Sequence, residues 1–364
     1  MLIGVPGEVK IKEHRVSMVP GGVRQLVHAG HRVLIQAGAG NGAGICDQDY
    51  QEAGASIVPD AETVWGEADM IIKVKEPIAQ EYPLMKKHQI LYTYLHLAAV
   101  PELAEQLVKK EISAIAYETI QNDDGFLPLL KPMSEVAGRM AVQVGVRCLE
   151  KRQGGKGLLL GGVPGVRRGK VGIIGAGFVG VNAAKMAIGL GAQVSILDID
   201  QQKLAYLDDV FGSTITTLMS DPENIARVVS ESDLLIGAVL LPGARAPVLV
   251  TREMVASMEK GSAIVDVAID QGGSVETIRP TTHDQPTYTE EGVIHYGVTN
   301  MPGNVPATST YALTNVTMPF ALSLANKGLE QALRESRPLA RGLNTHQGRI
   351  THEVVAQALE TPSG

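Results

Sequence analysis

The sequence predicts an α/β fold of two doubly wound parallel sheets, in two domains separated by a cleft. Three observations predict it. Lys170 to Asp198, KVGIIGAGFVGVNAAKMAIGLGAQVSILD, reads as an apolar strand, a glycine turn, an apolar helix, a second strand and a terminal acid. Over residues 1–128, short apolar runs alternate with helix-length stretches, the rhythm of parallel strands joined by crossover helices. A chain of 364 residues, 45% hydrophobic and 20% charged, is long and apolar enough for two domains with separate cores.

Leu2 to Val5 reads as the first strand. The loop after it, GEVKIKEHRVSMVPGGV, brings Lys10, Lys12, His14 and Arg15 together. A helix is expected at Val23 to Ala29, stopped by Gly30, and then a strand at Arg32 to Gln36. Met70 to Val74 is the next clear strand, leading into Lys75, Glu76 and Pro77, and Ile90 to Leu95 leads into His96. Both place an ionisable residue at a strand's C-terminal edge, where open parallel sheets bind ligands. Ala79 to Lys87 and Pro101 to Lys110 are expected as crossover helices, and Ser113 to Ala116 as a strand ending at Tyr117 and Glu118.

Near Pro128 to Pro132 the alternation breaks. A long helix is expected from Ser134, as its N-cap, to near Arg152, bridging the domains. The glycine stretch follows. Val171 to Ile174 suits a strand buried on both faces. Gly175 permits the tight turn, Gly177 lets backbone approach a pyrophosphate, and Gly180 lets the helix lie close to the strand. The helix N-terminus then aims free N–H groups at the anion. Asp198 can accept hydrogen bonds from an adenosine ribose and would repel a 2'-phosphate, which favours NAD over NADP.

The glycine string alone is weak, since 40 glycines in 364 residues yield roughly 0.5 such strings by chance. The flanking strand, helix and acid are what predict a Rossmann-like dinucleotide site. Gly38, Gly40 and Ala43, with Asp60 downstream, satisfy a relaxed version of the pattern. There Asp47 and Asp49 occupy the place of the pyrophosphate, so that segment is expected to repeat the architecture without binding a dinucleotide.

Further strands are expected at Thr214 to Leu218, Leu234 to Gly237, Ala263 to Asp266 and Val293 to Tyr296. Their loops, Val239 to Gly243, Val267 to Gly273 and Val298 to Gly303, would line the cofactor cleft. The uncharged segment Thr308 to Asn326 is expected as a helix packing back on the first domain, with a smaller helix at His352 to Leu359. The domain reading is therefore residues 1–128 plus 307–364 for the substrate domain and 129–306 for the nucleotide domain.

A net charge of -7 with 4% aromatic residues gives neither the basic surface nor the stacking platforms that nucleic acid requires. Cys46 and Cys148 suggest buried thiols in a reducing compartment, with no disulfide scaffold, zinc site or other metal. The N-terminus is charged too early for a signal peptide. Gly292 to Asn326 lacks charge, but Pro302, Pro306, Pro319 and many hydroxyl residues argue against a membrane span. A soluble, cytoplasmic protein is expected.

A nicotinamide domain implies hydride transfer, so the other domain should hold the substrate and an acid or base. Arg15 can fork a substrate carboxylate, though an arginine on a loop is by default solvated. Lys75 stands where an unpartnered lysine is costly. His96 can remove and return a proton near neutrality. Asp270, in AIDQGG, is by itself an ordinary turn residue.

GVPGEVKIKEHRVSMVP with Arg15, VKEP with Lys75, YLHLA with His96, GAGFVG, AIDQGG with Asp270 and VTNMPGNVPATST together resemble the NAD-dependent alanine dehydrogenase family. Its wider group includes the nucleotide-binding part of proton-translocating transhydrogenase and the lysine-forming saccharopine dehydrogenases. The resemblance covers essentially the whole chain. It implies that Arg15 and Lys75 hold the substrate carboxylate and carbonyl, and that His96 and Asp270 are the acid-base pair. It implies cofactor contacts at Ser134, Gly175, Gly177, Phe178, Val179, Gly180, Asp198, Lys203, Ser220, Val239 and Leu240. Further contacts are implied at Ala268, Ile269, Asp270, Arg279, Val298, Thr299, Asn300 and Met301. It also implies a homohexamer. The reaction expected is reversible oxidative deamination of L-alanine to pyruvate and ammonia, with hydride transfer to NAD and with His96 or Asp270 activating water. Two other readings remain open on the residues alone: a transhydrogenase-type nucleotide subunit, and a non-catalytic nicotinamide sensor.

Overall fold

The structure is a computed structural model that describes residues 1–239 and 245–360. It divides into two compact units, residues 1–133 with 303–364, and residues 134–302.

In the first unit the chain runs β1 (Leu2–Val5), α1 (Pro20–His28), β2 (Arg32–Gln36), α2 (Asp47–Glu52), β3 (Ser56–Val58) and α3 (Ala61–Glu67). It continues through β4 (Met70–Ile72), β5 (Ile90–Thr93), α4 (Pro101–Lys109) and β6 (Ser113–Ala116). The strands pair in parallel in the order β6-β5-β4-β1-β2-β3, with the order reversing between β1 and β4. Alternate residues of one strand feed opposite layers, as the period of two requires. Met70, Ile72 and Tyr92 join one core, and Ile71 and Leu91 join another with Trp65, Leu103 and Leu107.

The second unit is entered within α5 (Lys131–Cys148) and continues as β7 (Lys170–Ile174), α6 (Phe178–Gly189), β8 (Gln193–Asp198), α7 (Gln201–Phe211), β9 (Ile215–Met219) and α8 (Pro222–Glu231). Then follow β10 (Leu234–Gly237), α9 (Arg252–Ala256), β11 (Ala263–Asp266), β12 (Thr287–Glu290) and β13 (Val293–Tyr296). The sheet order is β12-β13-β11-β10-β7-β8-β9, reversing between β7 and β10. The chain returns to the first unit through α10 (Pro306–Lys327), α11 (Leu329–Glu335), α12 (Arg337–Arg341), β14 (Leu343–His346), β15 (Arg349–Ile350) and α13 (Glu353–Glu360). Leu313, Met318, Ala321 and Leu324 of α10 join the first unit's core together with residues of α1, β1 and β2.

Both sheets depart from the expected all-parallel form at an edge. β14 and β15 pair antiparallel beside β6, and β12 pairs antiparallel with β13. Short turns at positive φ join these pairs, Gln347–Gly348 between β14 and β15 and Glu291–Gly292 between β12 and β13. A tight turn can join only antiparallel neighbours.

Four local expectations are corrected. Ala79 to Lys87 forms no α-helix. Its Glu81 carboxylate accepts from the Ile78 N–H at 3.1 Å and turns the chain, and Pro83 leaves a single 3-10 turn at Tyr82–Leu84. The long helix begins at Lys131 with Pro132 in its first turn, so Ser134 lies inside it and is not its N-cap. β4 and β5 stop at Ile72 and Thr93, short of Val74 and Leu95. Cys46 is exposed, not buried, because its Sγ and backbone N–H both turn to Asp49 to cap α2, while Cys148 is buried as expected.

Candidate active site

In the first unit, four neighbouring strands deliver four ionisable side chains from their C-terminal ends. In sheet order, β6 leads to Glu118, β5 to His96, β4 to Lys75 and β1, through a longer loop, to Arg15. The β1/β4 reversal is the position at which an open α/β sheet parts to admit a ligand.

Arg15 is 2% exposed, and its Nε and Nη2 donate to the two oxygens of Glu13 at 2.7 and 2.6 Å. Burial works against the guanidinium charge. The Glu13 carboxylate outweighs burial, so the pKa of Arg15 is raised, and Glu13 is in turn held below the ordinary glutamate value against its own burial. Glu13 thus offsets the charge of Arg15, because so deep a guanidinium needs a partner.

Lys75 is half-buried, and burial, seconded by the nearby Arg15 charge, lowers its pKa. Its backbone carbonyl accepts from Thr93 Oγ1 at 3.1 Å. Two residues back, Lys73 is wholly buried with Glu8 at 3.3 Å and Glu81 at 2.9 Å. Burial opposes that ammonium, yet the two glutamates outweigh it and raise its pKa.

His96 is exposed and adopts a left-handed backbone, φ +48°. Its N–H donates to Glu118 Oε1 at 2.6 Å, and the N–H of Leu95 donates to both Glu118 oxygens at 3.1 and 3.2 Å. The imidazole lies parallel to the Tyr94 ring, with centroids 5.8 Å apart. Tyr94 is anchored by its hydroxyl, which donates to the Leu129 carbonyl at 2.7 Å. Glu118 was visible at a strand end in the sequence without a role, and Glu8, Glu13, Lys73 and Glu81 carried no site signal of their own.

In the second unit, the turn after β7 opens on a cavity of about 400 Å³. Nine of the expected cofactor residues line it: Ser134, Gly175, Gly177, Phe178, Val179, Asp198, Lys203, Ser220 and Val239. Gly175 lies at φ +107°, where a Cβ would meet the Ala238 carbonyl at 2.7 Å. A Cβ on Gly180 would stand 1.8 Å from the Gly175 carbonyl, so the helix can lie against the strand only with glycine there. A Cβ on Gly177 would meet nothing within 4 Å, leaving a bare backbone facing open space at the start of α6. That cradle, with a carboxylate at the end of β8, fits the diphosphate and ribose of a dinucleotide.

Asp198 does more than face the cavity. Its Oδ2 accepts from the Ala176 N–H at 2.6 Å and its Oδ1 from the Asp200 N–H at 2.9 Å, with Lys203 Nζ at 3.8 Å. A second hollow of about 730 Å³ lies at the opposite ends of β7, β8 and β9, near Lys170, Gln193 and Ile215, away from every expected site residue.

Among the described residues, the other expected cofactor residues do not line the 400 Å³ cavity. Ala268 and Ile269 are buried in the turn after β11, while Asp270 is exposed on it. Asp266 shapes that turn, its carboxylate accepting from the N–H groups of Ala268 at 2.9 Å and Ser274 at 2.6 Å. Asp270 Oδ1 accepts from the Asn300 N–H at 3.3 Å, which joins two expected loops. Val298 and Met301 are buried and Thr299 is exposed. Arg279 is exposed, with its guanidinium 4.2 Å above the Tyr288 ring. Leu240 lies outside the described residues. At the relaxed glycine pattern near Gly38, Asp47 Oδ1 accepts the Gly38 N–H at 2.8 Å, so a carboxylate stands where an anion would need to bind.

Among the described residues there is no cluster of metal-ligating side chains, and no helix is long and apolar enough to cross a membrane.

Residues 4–137 match the family described as "Alanine dehydrogenase/PNT, N-terminal domain", and residues 141–353 its C-terminal domain. The chain is 59% identical over 363 residues to an alanine dehydrogenase of Methanococcus maripaludis, covering 100% of this chain and 97% of that protein. It is 60% identical over 360 residues to an alanine dehydrogenase of Bacillus subtilis, covering 99% and 95% of the two chains. Its fold superposes on a solved L-alanine dehydrogenase with a TM-score of 0.97 at 56% identity, covering 98% of this chain and 99% of that one. A transhydrogenase from Sinorhizobium meliloti shares the fold, with a TM-score of 0.83 at 24% identity over 97% of this chain and 100% of that one. With both domain families matched in order and full-length relatives well above half identical, the chain belongs to the alanine dehydrogenase/PNT family.

Proposed function

We propose that this chain catalyses the reversible NAD-dependent oxidative deamination of L-alanine to pyruvate and ammonia. The observation that carries the reading is the row Arg15, Lys75, His96 and Glu118 on four adjacent strand ends. Such a row offers two cations for a carboxylate and carbonyl, and an imidazole beside them for proton transfer.

The backbone at Gly177, the N-terminus of α6 and the Asp198 carboxylate would hold the dinucleotide. When bound, NAD supplies the hydride acceptor. Arg15, fixed in orientation by Glu13, is assigned to the alanine carboxylate. Lys75 steadies the same carboxylate and, in the reverse direction, the pyruvate carbonyl oxygen. Loss of a hydride from the alpha carbon leaves an imine, to which water adds. His96 or Asp270 takes the proton from that water, and collapse of the carbinolamine releases ammonia. Asp198 supports NAD over NADP, because its buried carboxylate would repel a 2'-phosphate.

The resemblance carries further expectations into this reading: a cytoplasmic enzyme, assembled as a homohexamer. Light scattering on the purified chain tests the assembly, and a monomer would remove that part. The activity itself is tested by NADH absorbance with NAD and L-alanine. A transhydrogenase-type subunit or a nicotinamide sensor would give no alanine-dependent NADH.

A further inference from the structure

We propose that Glu8 is a positioning residue for Lys75: it fixes the backbone of the chain as it leaves β4, and so sets where the Lys75 ammonium meets the substrate. The inference rests on the reading of Lys75 as a substrate-binding residue.

Glu8 follows β1, and its Oε1 accepts from the Val74 N–H at 2.7 Å while its Oε2 accepts from the Lys75 N–H at 3.2 Å. On the β5 side the backbone bonding runs on past Ile72, with Lys73 N–H donating to the Tyr92 carbonyl at 3.1 Å and Tyr94 N–H to the Val74 carbonyl at 3.2 Å, whereas the Val74 and Lys75 N–H groups are taken by the Glu8 carboxylate. The same Oε2 lies 3.3 Å from Lys73 Nζ, and Lys73 lies 2.9 Å from Glu81. All three side chains are at most 2% exposed. Glu81 in turn accepts from the Ile78 N–H at 3.1 Å. Residues 73 to 78 are therefore held at both ends by one buried chain of charges, with Thr93 Oγ1 holding the Lys75 carbonyl between them at 3.1 Å.

A buried ion group is seldom there for stability alone, since well-packed apolar side chains often serve that purpose as well or better. What this group does that apolar residues cannot is satisfy the backbone of one six-residue exit segment. It does so from a neighbouring strand across the β1/β4 reversal. Lys75 has a flexible four-carbon stem, and a stem rooted in a loose backbone would sweep a wide volume. Fixing the root reduces that spread and leaves the ammonium outside the triad, available to a ligand.

The test is equilibrium affinity for pyruvate in the presence of NADH and without ammonia, measured on the full chain for wild type, Glu8→Ala, Lys75→Met and the double variant. Glu8→Ala should weaken pyruvate about tenfold or more, with NADH affinity unchanged. In the Lys75→Met background the same Glu8 change should cost nothing further, because its effect runs through Lys75. Glu8→Gln keeps the volume and one acceptor oxygen, and gives an intermediate loss should Glu8→Ala fold poorly. Wild-type pyruvate affinity in both Glu8 variants, or an equal loss with and without Lys75, overturns the inference. No pyruvate binding by the wild-type NADH complex overturns the proposed function first, and this inference with it.

Discussion

The carboxylate of Glu118 accepts the backbone N–H of His96 at 2.6 Å, while His96 itself holds φ at +48°. A left-handed backbone is uncommon for a non-glycine residue and persists only where its surroundings impose it. Here the imposing group is one carboxylate bonded to two successive N–H groups, with Tyr94 stacked on the ring. Glu118→Ala should therefore lower kcat about 10-fold to 100-fold with little effect on NAD affinity. Steady-state kinetics beside an NAD titration checks this, and a loss confined to NAD binding would contradict it.

Lys75 gives a pH dependence of defined sign. Burial and the Arg15 charge lower its pKa, so the ammonium is present at lower pH and is lost as pH rises through a value below the ordinary lysine range. The KM for L-alanine should climb on that alkaline side. A KM profile for wild type and Lys75→Arg tests this, since a guanidinium does not titrate there and the climb should vanish in the variant.

Two glycines one helical turn apart should behave in opposite ways. Gly177→Ala places its Cβ in open space within the protein and should leave the melting temperature nearly unchanged while weakening NAD. Gly180→Ala drives a Cβ to 1.8 Å from the Gly175 carbonyl and should cost about 3 kcal/mol of stability. Calorimetry and NAD titration on both variants separate the roles.

Asp198 joins the glycine turn to the ribose site, so removing it has two effects. Asp198→Asn keeps an oxygen for the Ala176 N–H and should chiefly relax the preference for NAD over NADP, about tenfold. Asp198→Ala should also weaken NAD. Comparing kcat/KM for the two nucleotides tests both, and a wild-type preference for NADP would contradict the role of Asp198.

Acid stability should depend on Asp233. Burial would raise its pKa, but hydrogen bonds from Arg167, Lys156 and the Lys170 N–H outweigh burial and bring it to about 2. A carboxylate with a depressed folded-state pKa contributes stability above its unfolded value, and loses it as pH falls through the folded one. Asp233→Asn should cost about 2 kcal/mol at neutral pH and flatten the fall in stability between pH about 4 and 2. Denaturant titrations across that range check it.

Much of this was legible in the sequence. The glycine turn, the strand–helix alternation and the strand-end positions of Lys75 and His96 follow from local period and backbone sterics, which a sequence carries directly. Glu8, Glu13 and Glu118 were not legible as site residues, because their partners lie on other strands or are fixed by burial, and burial is set by the whole fold. The Ala79 to Lys87 segment was misread for the same reason. Its composition allows a helix, but Glu81 is taken up by Lys73 and by the Ile78 N–H. The antiparallel edge strands were missed because TYTE, LNTH and RI lack the apolar run that marks the equally short β1, β10 and β11.

The proposed acid-base chemistry on L-alanine rests on the row of strand-end residues, and above all on His96. Its most direct measurement is alanine-dependent NADH formation by wild type and His96→Ala, with NAD affinity determined for both. The expected outcome is activity in the wild type, a loss of about 100-fold or more in the variant, and equal NAD affinity. Equal turnover by the two proteins, or no alanine-dependent NADH from either, would contradict it.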